Sequence, residues 1–148
     1  MLRGRHRCCS VTARRHGRPL SICIVDIDLF KRINDTLGHL RGDKVLKLVA
    51  REISRRVRNE DFVARYGGEE FVIIMPETDQ QSALAAAEKV RISIAECPFN
   101  FNNERFPVTA SFGVAGFQEG DDIESCFERA DKALYKAKAE GRNRVERG

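Results

Sequence analysis

Leu20-Ser21-Ile22-Cys23-Ile24-Val25-Asp26 is the stretch that decides the fold. It is short, unbroken in apolar character and rich in isoleucine and valine. That pattern predicts a central strand buried on both faces. Gly17-Arg18-Pro19 breaks the chain ahead of it. Beyond it, Phe30 to Leu37 suits a helix that stops at Gly38, so the strand runs directly into a helix. Residues 43 to 57 predict an amphipathic helix, with Val45, Leu46, Leu48, Val49, Ile53 and Val57 at helical spacing. Phe62 to Tyr66 and Glu70 to Met75 flank Gly67-Gly68 as a β-hairpin. Gln80 to Ala95 reads as an alanine-rich helix. Val108 to Phe117 reads as a strand of small and alternating residues. Ile123 to Ala139 is the last helix, with Gly141 as its C-cap. Arg144 to Glu146 adds a short edge strand. Strands and helices alternate around one antiparallel hairpin. The fold class is therefore α/β, in the form of an α+β sandwich: a sheet of about five strands with helices packed on its faces.

At 148 residues the chain has the size of one domain with one core. Its longest apolar runs are too short to cross a bilayer. The start, Met1 to Arg7, is basic and leads into Cys8-Cys9 rather than an apolar stretch, so no signal peptide is read and a cytoplasmic protein is expected. The formal charge of +4 is uneven. Residues 1–20 hold six arginines and no acid, leaving 20 basic and 22 acidic residues beyond them, a net of −2. The basic character belongs to an N-terminal arm, residues 1–16, or a remnant of a first helix. It does not describe a nucleic-acid-binding face, and no nucleic-acid partner is expected. The five cysteines show no C-x-x-C and no zinc spacing with the three histidines, so all are read as reduced and structural.

Two acidic clusters carry the chemistry. Asp26 and Asp28 lie where the strand meets the helix; Glu69 and Glu70 lie on the Gly-Gly turn. Carboxylates on strand ends and tight turns are hard oxygen ligands on rigid backbone, suited to Mg²⁺ and a nucleotide phosphate. They converge only if their strands lie side by side. Taken alone, Asp26 reads first as a strand-end carboxylate that caps the following helix. Gly67-Gly68 is equally a turn that needs positive φ. Arg58-Asn59-Glu60-Asp61, as a bare R-x-x-D pattern, is usually a helix-end ion pair.

The ordered motifs favour the functional reading of Asp26 and of Arg58 with Asp61, and leave both readings of Gly67-Gly68 standing. Asp26-x-Asp28-x-Phe30-Lys31-x-x-Asn34-Asp35, then Arg65-Tyr66-Gly67-Gly68-Glu69-Glu70-Phe71, resembles the signature of the GGDEF family, the catalytic domains of bacterial diguanylate cyclases. The likeness continues through Gly38-His39, Gly42-Asp43, Ser111-Phe112-Gly113-Val114, Ala130-Asp131-Lys132-Ala133-Leu134-Tyr135 and Gly141-Arg142-Asn143. It covers residues 17–148. The resemblance implies a mainly antiparallel sheet like that of the nucleotidyl cyclases and the polymerase palm. It implies that two GTP molecules condense into cyclic di-GMP with release of pyrophosphate. By resemblance, Asp26, Glu69 and Glu70 are catalytic, and Asp26, the Ile27 carbonyl and Glu69 hold Mg²⁺ (or Mn²⁺). Phe30 and Lys31 meet the β- and γ-phosphates, Gly67 and Gly68 lie against the nucleotide, and Asn34 and Asp43 read the guanine edge. Lys132 and Lys136 hold the terminal phosphates. Arg58 and Asp61 form a site where cyclic di-GMP inhibits its own synthesis. The partners implied are GTP, cyclic di-GMP and a second copy of the chain in a homodimer. The family's opening segment and a sensor domain are absent from the sequence, so a shortened domain is expected. The alternative function is a catalytically weak receptor for cyclic di-GMP or GTP.

Overall fold

The computed structural model describes residues 17–148. The basic arm and the Cys8-Cys9 pair lie outside the described residues. Five strands form one sheet in the order β2-β3-β1-β6-β7. They are β1 (Leu20–Ile27), β2 (Phe62–Arg65), β3 (Glu70–Pro76), β6 (Ala110–Gly116) and β7 (Val145–Arg147). Four helices among the described residues cover it: α1 (Phe30–Leu37), α2 (His39–Arg56), α3 (Gln80–Glu96) and α4 (Ile123–Ala139).

The central strand is where its composition places it. All eight residues of β1 are buried, between antiparallel neighbours β3 and β6. Alternation sends Cys23, Val25 and Ile27 into the larger core, with Phe30, Val45, Val49, Ile53, Ala87 and Ile94 from the first three helices. Ile22 and Ile24 point to the other face, where Cys126, Ala130 and Leu134 of α4 cover them. Gly113 lets α4 come down close on β6. A Cβ there would meet the Ala130 carbonyl oxygen at 2.1 Å and the Leu134 nitrogen at 2.4 Å. Asp79 and Asp122 cap α3 and α4 by accepting the amides of Ser82 and Ser125, each at 2.7 Å.

Several expectations are corrected. The second helix begins at His39 rather than residue 43, so Asp43 lies inside it. Gly38, at φ 86°, both ends α1 and starts α2. Gly42 stays helical despite its low propensity because Asn34 packs against its bare backbone. A small hairpin, β4 (Asn100–Phe101) with β5 (Glu104–Arg105), was not expected. Asn102 and Asn103 turn it with φ of 52° and 63°, a role for which asparagine is suited. The edge strand β7 sits one residue later than expected and pairs in parallel with β6. Cys23, Cys97 and Cys126 are free, and burial pushes the Cys126 thiol up to about 11. No helix among the described residues is long and apolar enough to cross a membrane.

Candidate active site

The register of β1 and β3 brings the two acidic clusters together. Asp26 is paired with Glu70 across the ladder and with Ser111 on the other side. The Ile27 amide donates to the Glu69 carbonyl at 3.2 Å, which ties the Gly-Gly turn to the end of β1. Asp26, Glu69 and Glu70 thus share one end of the sheet. Asp26 is 6% exposed. Burial, then the neighbouring Asp26 carboxylate, pushes the Glu70 carboxyl above its ordinary range; Lys138 partly opposes this and Asp131 adds to it.

A cation already answers this charge. Lys138, in the last turn of α4, places Nζ 2.7 Å from Oδ2 of Asp26. The sequence reading chose Lys132 and Lys136 on this helix and missed Lys138. Lys136 instead pairs with Glu140 at 3.9 Å and Glu146 at 3.5 Å, and Lys132 is exposed. Helical spacing alone does not single out Lys138. Cys126, Ala130, Ala133, Leu134 and Ala137 face the sheet; Lys136 and Lys138 flank that stripe on opposite sides, and Lys132 lies farthest from it.

The turn itself is held from within. Arg65 Nε donates to the Gly67 carbonyl at 3.2 Å and the Gly68 carbonyl at 3.0 Å, and its Nη2 reaches the latter at 2.6 Å. The Tyr66 amide donates to the Glu70 carbonyl at 2.8 Å. Tyr66 packs its ring on Phe127 of α4, 5.3 Å between centroids. Neither Gly67 nor Gly68 has positive φ, so turn strain is not what the pair relieves, contrary to that sequence reading. A Cβ on Gly68 would meet nothing within 4 Å, and one on Gly67 only Glu70 Oε2 at 3.7 Å. The bare backbone leaves open space beside the acids.

The remaining residues fall in two places. Phe30 is buried, and its ring lies near Gly42. Lys31 and Asp43 are exposed, and Asn34 is half-buried. The first turn of α1 has no side-chain cap; Leu29 enters it at φ 55°. A cavity of about 310 Å³ lies between α2 and the β2–β3 hairpin, walled by Leu46, Ala50, Val63 and Phe71 with Lys47 and Arg65. Asp43 sits on the same helical stripe as Lys47, Ala50 and Ser54. Arg58 and Asp61 lie at the far end of β2 from Glu70. The Arg58 amide donates to Asp61 Oδ2 at 2.9 Å, and its guanidinium reaches Asp61 Oδ1 at 3.2 Å, the Pro76 carbonyl at 2.9 Å and Thr78.

The donor set suits a hard divalent ion. The carboxylates of Asp26 and Glu70 repel each other, and the ammonium of Lys138 stands where positive charge is wanted. On the protein's side the oxygen donors at this end of the sheet are few: the carboxylates of Asp26, Glu69 and Glu70. That fits Mg²⁺, which takes few protein carboxylates and leaves positions for phosphate oxygens and water.

Sheet order, register and signature define a nucleotidyl-cyclase-like domain with an acidic centre. Residues 9–144 match the family described as "Diguanylate cyclase, GGDEF domain". Diguanylate cyclase DgcP of Pseudomonas aeruginosa is 50% identical over 136 residues, which are 90% of this chain and 20% of that protein. The GGDEF domain of DgcB from Caulobacter crescentus, solved in complex with c-di-GMP, superposes with a TM-score of 0.95 at 36% identity, covering 99% of this chain and 87% of that one. The active GGEEF domain of a diguanylate cyclase from Vibrio cholerae gives 0.89 at 40% identity, covering 95% of this chain and 89% of that one. The chain belongs to the GGDEF family. It spans about a fifth to a third of the length of the curated relatives it matches.

Proposed function

We propose that this chain is a diguanylate cyclase domain that condenses two GTP into cyclic di-GMP and releases two pyrophosphates. The observation that carries this reading is the pairing of Asp26 with Glu70, beside the tethered Glu69 and the cation Lys138. Each bond-forming step has a 3′-hydroxyl oxygen attack an α-phosphorus while the bond to the β-phosphate oxygen breaks. Glu70, whose carboxyl is raised by burial and by Asp26, would take the hydroxyl proton. Asp26, the Ile27 carbonyl and Glu69 would hold Mg²⁺ (or Mn²⁺). That ion, when bound, neutralises charge on the phosphate oxygens. Lys138 adds fixed positive charge at the same point. The uncapped amides of α1, with Lys31 beside them, suit the outer phosphates. Lys132 and Lys136, both exposed on α4, would hold the terminal phosphates through their ammonium groups.

Guanine is recognised by Asn34 and Asp43. A carboxylate that accepts from N1–H and N2–H₂ discriminates against adenine, which lacks that donor pair. The open backbone of Gly67 and Gly68 accommodates the ribose and phosphates. Two subunits related by a two-fold axis would present each 3′-hydroxyl to the partner's nucleotide. Arg58 and Asp61 form the inhibitory site for cyclic di-GMP, and the ligand displaces Arg58 from Pro76 and Thr78. Purified protein incubated with Mg²⁺ and either GTP or ATP tests the reading. Cyclic di-GMP from GTP, with no comparable product from ATP, supports it. A folded, dimeric protein that binds GTP and forms no cyclic di-GMP leaves only the receptor function.

A further inference from the structure

Asp28 follows Asp26 by two residues, so by strand periodicity both acids project from the same face at the end of β1. By residue type it looks like a further cation ligand. Its hydrogen bonds say otherwise. Asp28 is 7% exposed and both oxygens are engaged. Oδ1 accepts from the Ser111 hydroxyl at 2.6 Å. Oδ2 accepts from the Thr109 hydroxyl at 2.7 Å and from the Asn143 amide at 2.9 Å. The Asp28 amide meanwhile donates to the Thr109 carbonyl at 2.9 Å. Three strong donors occupy most of what one carboxylate can accept.

The Asn143 contact ties this node to the far side of the sheet. Asn143 Oδ1 accepts from Arg91 Nη1 at 2.9 Å, and Arg91 is itself held by Glu88. Gly141, Arg142 and Asn143 all lie at positive φ, 119°, 64° and 45°, a run that needs an outside hold. This is the turn directly after α4, one helical turn beyond Lys138.

We propose that Asp28 is a positioning residue. Its carboxylate fixes the turn at 141–143 against the end of β1. That fixes the end of α4, and with it the approach of Lys138 to Asp26. It does not ligate the metal. The catalytic consequence rests on the proposed cyclase reading; the structural one does not.

Two substitutions separate positioning from ligation. In Asp28→Asn the amide oxygen keeps Thr109 and Asn143, and the amide nitrogen donates to a rotated Ser111 hydroxyl. The network survives and only the charge is lost. In Asp28→Ala the network goes. Positioning predicts that Asp28→Ala lowers kcat by on the order of 100-fold, as a small misplacement of reacting groups does. Asp28→Asn then stays within about fivefold of wild type, the scale of one hydrogen bond. The Mg²⁺ concentration for half-maximal rate rises in neither. Amide exchange of Asn143, measured without nucleotide, is fast only in Asp28→Ala. Equal loss of rate in both variants with a raised Mg²⁺ requirement overturns the proposal and makes Asp28 a ligand. So does an Asp28→Ala enzyme as active as wild type, or slow Asn143 exchange in that variant. If Asp28→Ala does not fold, Thr109→Val removes one anchor instead: positioning predicts about a fivefold fall in kcat, and ligation predicts none. If wild type itself makes no cyclic di-GMP, the cyclase reading fails while the exchange measurement still decides the role of Asp28 in the turn.

Discussion

Lys138 Nζ lies 2.7 Å from Oδ2 of Asp26, across 112 residues of sequence. The last helix thereby delivers a cation to an acid at the end of the central strand. The expected metal and this ammonium answer the same negative charge, so the unliganded protein offsets part of its acid repulsion internally.

Removing that ammonium should expose the repulsion. Lys138→Met is expected to lose roughly 1–2 kcal/mol of stability in metal-free buffer, the scale of a charge-assisted hydrogen bond. Added Mg²⁺ should raise its melting temperature more than that of wild type, and its turnover should fall at least tenfold. Thermal melts with and without Mg²⁺ check this; equal Mg²⁺ shifts in both proteins would contradict it.

Glu70 makes a pH prediction. Burial and Asp26 raise its carboxyl pKa in the folded chain. The folded state therefore holds this proton more tightly than the unfolded one. The resulting stability is present at low pH and lost as pH rises through the raised value. Metal-free Glu70→Gln should melt a few degrees above wild type at neutral pH. The difference should vanish below about pH 4, where the unfolded carboxyl is also protonated. Melts across that range decide it.

The two partners across the ladder should fail differently. Glu70→Gln is expected to abolish turnover while GTP still binds. Asp26→Asn should weaken Mg²⁺-dependent GTP binding itself. Calorimetry on both variants separates the roles, and equal loss of binding would collapse the distinction.

Gly42 links fold to specificity. A Cβ there would come within 1.8 Å of Asn34 Oδ1 and displace that half-buried side chain. Gly42→Ala should raise the KM for GTP by about tenfold, the scale of a lost hydrogen-bond set at the base, and leave the melting temperature nearly unchanged. At Gly113 the obstruction is the backbone of α4, which cannot turn aside. Gly113→Ala should cost about 3 kcal/mol or more. Urea unfolding of the pair checks both halves of this prediction.

Arg58→Ala should relieve inhibition by added cyclic di-GMP at a nearly unchanged initial rate. It should also cost about 1–2 kcal/mol, because Asp61, whose side chain is only 4% exposed, loses its guanidinium partner. Loss of stability with undiminished inhibition would leave the pair as a structural contact alone.

Much of this was legible in the sequence because several signals agreed. The β-branched run at Leu20, the alanine spacing of α3 and the Gly-Gly pair between apolar runs each pointed to one element. Whether β1 and β3 are neighbours was left open by the sequence; the structure pairs them, with Asp26 opposite Glu70. Helix faces were harder to read. Lys132, Lys136 and Lys138 are alike in composition, Lys136 and Lys138 flank the buried stripe of α4 equally closely, and only the contact with Asp26 across 112 residues sets Lys138 apart. The start of α2 was missed because Gly42 breaks the propensity pattern, and the packing that compensates comes from Asn34 on another helix. Asp28 received no role from the sequence because its three hydrogen-bond donors, Thr109, Ser111 and Asn143, are distant in sequence.

The central claim is that Asp26, Glu69 and Glu70 form one catalytic centre for joining two GTP molecules. Phosphorus NMR of wild type and Glu70→Gln, each with GTP and Mg²⁺, tests it most directly. Wild type should yield cyclic di-GMP and pyrophosphate in the ratio of one to two, and Glu70→Gln should leave GTP intact. Cyclic di-GMP formed at equal rates by both proteins, or by neither when both are folded and dimeric, would contradict it.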